Sequence, residues 1–170
     1  MTSISDLIGR LQNEWGTPRR AEHRGSVCPF LLHCTFYPSA SLEPLPEKGV
    51  PLDLAEFWKH TRSARLFVDG QYGQWGLEVF DSVKSMAETA HNRSTRPQDC
   101  LSSDLIVGRF LGDSDLLVIR NDPSAADYGT VMVALPIDKR NHWYLAARSF
   151  SGFLERLIDA QGHKYWEDPA

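Results

Sequence analysis

The sequence predicts an α+β fold: a single domain with a central, largely antiparallel β-sheet flanked by helices. Two stretches near the ends of the chain, Ile4 to Trp15 and Phe150 to Ile158, repeat apolar residues at spacings of three and four, the period of a helix with one buried face. Three runs rich in β-branched residues, Leu105–Phe110, Asp115–Arg120 and Thr130–Leu135, are joined by Gly112-Asp113 and by residues 121–129, so a meander is the economical arrangement. A length of 170 residues with 42% apolar content fits one packed core.

The first helix is expected to start at Ser3 as N-cap, to carry Ile4, Leu7, Ile8, Leu11 and Trp15 on one stripe, and to stop at Gly16-Thr17-Pro18. Residues 17–51 are rich in turn-formers, including Pro38, Pro44, Pro46 and Pro51, and only Val27 to Tyr37 reads as extended. Arg19, Arg20 and Arg24 are expected in a surface loop. Asp53-Leu54-Ala55-Glu56 reads as a variant capping box opening a helix to about Ser63, with Leu52 and Phe57 as its hydrophobic staple. Strands are expected at Arg65–Val68 and Leu77–Phe80 around a turn marked by Gly70, Gly73 and Gly76. A weaker helix, Ser82 to His91, would bury Val83, Met86, Ala87 and Ala90. After the three β-rich runs, Ser149 is the expected N-cap of a final helix that buries Phe150, Phe153, Leu154, Leu157 and Ile158, ends at Gly162 and lies on the sheet.

Composition narrows the function. Eighteen basic against 22 acidic side chains, with no block of Lys or Arg, lack the electrostatic footprint of a nucleic-acid binder. The longest apolar runs are far below the roughly 20 residues of a membrane span. Three cysteines without a Cys-x-x-Cys pair, and no basic-then-apolar leader, fit reduced thiols and a cytoplasmic location. Between Asp99 and Asp127, six aspartates face only Arg109 and Arg120, a local balance of −4 that equals the net charge of the chain.

No catalytic or cofactor motif stands out. Asp113-Ser114-Asp115 lacks the further oxygen ligands of a cation loop and reads as turn residues. His23, Cys28, His33 and Cys34 match no zinc-finger spacing and read as structural, so no metal is expected. Gly70-x-x-Gly73-x-x-Gly76 opens no helix after a strand, Gly-x-Ser-x-Gly is missing, and a dyad of Cys100 with His91 or His142 is no more than scattered residues. The expectation is therefore a non-enzymatic protein with no cofactor. The residues weighed for partner binding are an acidic rim of Asp113, Asp115, Asp122 and Asp127 at the turns of one meander, with Tyr72 and Trp75 as aromatic anchors.

The order of parts carries a resemblance. Phe57-Trp58, the segment from Ala64 to Leu77, the segment from Ile106 to Ile119 containing Gly112, Asp113 and Asp115, then Gly129-Thr130-Val131 and Ser149-Phe150-x-x-Phe153-Leu154 together resemble the SUKH superfamily, in particular its Smi/Knr branch. The resemblance covers about residues 51–166, taken as a SUKH-like core. Residues 1–50 would be an N-terminal helix and Pro-rich elaboration within one compact domain. It implies an α+β sheet flanked by helices and a bacterial immunity protein that binds and neutralises a toxin domain. The alternative is a regulatory or scaffold protein in signalling or cell-envelope assembly with no toxin partner. The sequence leaves the oligomeric state open.

Overall fold

A computed structural model describes residues 2–38 and 50–169. It has an eight-stranded sheet in which every neighbouring pair is antiparallel and spatial order follows chain order. The elements are α1 (Ile4–Trp15), β1 (Arg19–His23), β2 (Ser26–Tyr37), α2 (Leu52–His60), β3 (Ser63–Asp69), β4 (Leu77–Val79), α3 (Ser82–Thr95), β5 (Asp104–Phe110), β6 (Leu116–Arg120), β7 (Val131–Ala134), β8 (Tyr144–Ala147) and α4 (Phe150–Asp159). The α+β architecture and the meander are as the sequence predicts. Pro44 and Pro46, part of the Pro-rich tract, lie outside the described residues.

The apolar stripes form as their spacing dictates. Ser3 caps α1 by accepting from the Asp6 amide, and Ile4, Leu7, Ile8, Leu11 and Trp15 are buried. Ser149 caps α4 through the Gly152 amide, and its five apolar residues are buried. Both helices, with Leu54, Phe57 and Trp58 of α2, share one core with alternate strand residues such as Leu32, Leu66, Leu117, Ile119 and Val133. Thus α1, β1 and β2 belong to the same sheet and core as the rest. Gly162, past the end of α4, has φ +81, and a Cβ there would come within 2.5 Å of Phe67, so glycine is required for the chain to leave the helix against the sheet. On the opposite face Phe80, Ile106, Leu116, Val118 and Ala134 form a second cluster with Met132 and Trp143.

Several expectations are corrected. Arg19–His23 is strand β1, with only Arg24 and Gly25 left as the turn. Leu52 is 84% exposed and staples nothing. The N-cap of α2 is Pro51, without a side-chain bond, and Asp53 instead accepts from its neighbour Leu54 and, at 2.9 Å, from the Ser151 amide in the first turn of α4. One carboxylate therefore serves the positive ends of two helices. The buried stripe of α3 is Ser82, Ser85 and Thr89, while Val83 is exposed. The cause lies in β4, which is three residues long and stops opposite Gly108, leaving the next stretch of β5 without a partner strand. There Ser85 Oγ donates to the Ile106 carbonyl, the Ile106 amide donates to Thr89 Oγ1, and Arg93 donates to the Asp104 carbonyl. Hydroxyls on α3 take the place of the missing strand.

Candidate partner-binding surface

In a sequential meander the connections alternate between the two ends of the sheet. The β3–β4 and β5–β6 turns lie at one end, and the β6–β7 loop, the start of β5 and the end of β8 at the other. Asp113, Asp115, Tyr72 and Trp75 therefore share the first end, while Asp122 and Asp127 lie beyond the other end of β6, about 15 Å along a five-residue strand. The four aspartates form no single rim.

At the first end the two turns do adjoin: the Leu111 amide donates to the Gly76 carbonyl, and Gly112, at φ +97, passes so close to Gln74 that a Cβ would lie 2.3 Å from its carbonyl oxygen. The charges here are neutralised internally. Asp115 is buried, 3.6 Å from Lys164, which also bonds Asp113, and the ammonium lies over the Trp75 and Phe110 rings. Burial, and after it the Asp113 carboxylate, holds the Asp115 carboxyl above the usual carboxylate range against the pull of Lys164. Trp75 donates to the Gly162 carbonyl at 3.1 Å and packs on the core, which makes it a tether for the C-terminal segment. Tyr72 is 60% exposed and rests edge-on against Phe30.

The other end is more open. Exposed Leu101 precedes β5, and the Asn121 amide donates to the Ser103 carbonyl, joining that loop to Asp122. Asp122 is partly exposed and, among the described residues, its side chain bonds within its own turn, to Ser124, a bond that pulls its carboxyl below the usual range. Asp127 is half exposed and bonds Arg120 at 2.9 Å. Next along stand Tyr128, whose hydroxyl is pushed up by burial and then by the charge of Asp53, and Asp53 itself beside the exposed Leu52. The surface thus combines two protruding leucines, a tyrosine and three carboxylates. Leu52, Leu101 and Tyr128 carry no sequence signal of this role, because an apolar residue beside a cap or turn reads equally well as packed inward.

Beneath it lies a buried ion-pair network. Asp104 accepts from Arg120 at 2.8 Å, from two nitrogens of Arg140 and from the Leu101 amide, fixing the loops that carry Leu101 and Asp127. The cysteines are shielded: burial pushes the Cys34 thiol up to about 12 and raises Cys100. Among the described residues no group of three or more His, Cys, Asp or Glu is placed to hold a metal ion, and no helix is long and apolar enough to cross a membrane. Compared with protein-family models, with curated proteins and with solved structures, the chain matches none.

Proposed function

We propose that the chain is a non-enzymatic protein-binding domain of the SUKH superfamily, an immunity protein that binds and neutralises a toxin domain in the cytoplasm. The observation that carries this reading is the β6–β7 end of the sheet, where exposed Leu101, the partly exposed Asp122 and the half-exposed Asp127 stand on loops pinned from below by Asp104, Arg120 and Arg140, and exposed Leu52 with Asp53 opens helix α2. Protruding apolar side chains on a rigid base bind without a large ordering cost, and carboxylates around them speed association with a basic surface such as that of a nuclease. Two further features favour binding over catalysis. The Asp113 and Asp115 pair is occupied by Lys164, and the Cys34 and Cys100 thiols are held in their un-nucleophilic protonated form. The test is growth protection together with calorimetric titration, using the polypeptide encoded beside this gene. Stoichiometric binding with rescue of growth supports the reading, and absence of both rejects it.

A further inference from the structure

The outer face of β1–β3 points to a second interface, separate from the loop end described above. β2 is an internal strand, yet Val27, Leu31 and Tyr37 on its outward side are 57%, 47% and 43% exposed, while Cys28, Leu32 and Cys34 point inward to the core. Two charges flank this apolar line. Glu22 of β1 stands opposite Val27, and Arg65 of β3 stands opposite Thr35. Among the described residues neither side chain has an ionic partner: Glu78, across from Arg65, bonds Lys84, and Arg20, the other charge on the face, is drawn back onto the Cys28 carbonyl at 3.4 Å.

We propose that this face is the interface of a symmetric dimer of the chain. Leu31 lies midway in sequence between Val27 and Thr35, so Glu22 and Arg65 sit on opposite flanks and at opposite ends about it. A two-fold axis passing Leu31, perpendicular to the line joining the two charges, brings Leu31 against Leu31 and sets Glu22 of each protomer on Arg65 of the other. With one strand spacing of lateral offset on each side, the two sheets cross at roughly 40°, near the ~30° of aligned sheet packing. A partner of one sign would satisfy only one of these charges, whereas a second copy satisfies both. Three strand spacings by the length of β2 give at most about 560 Å² in plan per copy, the low end for specific interfaces, so the dimer is weak and concentration-dependent.

Sedimentation of the full chain from about 1 to 300 μM tests this directly. The wild type should shift from monomer to dimer across that range. Glu22→Arg and Arg65→Glu should each weaken the dimer at least about tenfold through like-charge contacts. The double variant E22R/R65E should restore it, which also excludes misfolding as the cause of the single-variant loss. A wild type that stays monomeric at 300 μM, or a dimer that the single reversals leave intact or the double reversal fails to restore, would overturn the proposal.

Discussion

Asp104 has no exposed surface and holds Arg120 and Arg140 in one network. Asp104→Ala would leave two guanidinium groups without their buried counter-charge and should destabilise the protein by about 3 to 5 kcal/mol in urea denaturation. The same residue shows why counting charges along the chain misleads. Of the six aspartates between residues 99 and 127, Asp99, Asp104, Asp113, Asp115 and Asp127 are matched by Arg96, Arg120, Arg140 or Lys164. Two of those partners come from far along the chain, which is invisible to a local balance. Histidine carries a separate expectation. His23 is packed 5.4 Å from His163, and burial, together with the charge of that neighbour, lowers its pKa below the ordinary 6.5. A depressed imidazole contributes its full stability above about 6.5 and loses it as pH falls through the lower folded-state value. Stability should therefore drop between pH 7 and 5, and the drop should be smaller in His23→Gln, measured by denaturant midpoints across that range.

At the scale of elements, legibility follows from whether a segment's packing is written in its own periodicity. For α1, α4 and β5–β7 it is, because their partners are generic apolar faces. Phe153 is fully buried between the Phe150 and Trp166 rings, at 6.4 and 5.9 Å, and Phe153→Ala should cost about 3 to 5 kcal/mol. β1 was illegible because Ala21 is its one inward apolar residue, and β8 because four residues carry too little pattern. The stripe of α3 misled for a stronger reason: its face is polar because it serves the backbone of β5 where β4 ends. Thr89→Val keeps the shape of the side chain and removes the acceptor for the Ile106 amide, so it should destabilise by about 1 to 3 kcal/mol. A loss near zero in thermal or urea unfolding would mean that the hydroxyl stripe is incidental.

For the whole molecule, the meander sorts residues by the parity of the connections that carry them. Asp113 and Asp122 are nine residues apart and lie at opposite ends of the sheet, whereas Leu111 and Gly76 meet across 35 positions. The antiparallel sheet was readable from composition and turns, and the expected meander already sets Asp113 and Asp122 at opposite ends of β6; which helix starts and loops meet at each end depended on the tertiary course of each connection. This arrangement leaves the protein with an open loop end bearing Leu52, Leu101 and Asp122, separate from the outer face of β1–β3. The loop end is the surface proposed to bind a protein. Stopped-flow association with the polypeptide encoded beside this gene, at low and high salt, tests this proposal most directly. Asp122→Lys should slow association, most at low salt, and Leu52→Asp should mainly speed dissociation, with circular dichroism and unfolding midpoints checking that both variants stay folded; Leu52 is 84% exposed, and Asp122 bonds Ser124 within its own turn. Rates and salt dependence identical to the wild type in both variants would contradict the proposal.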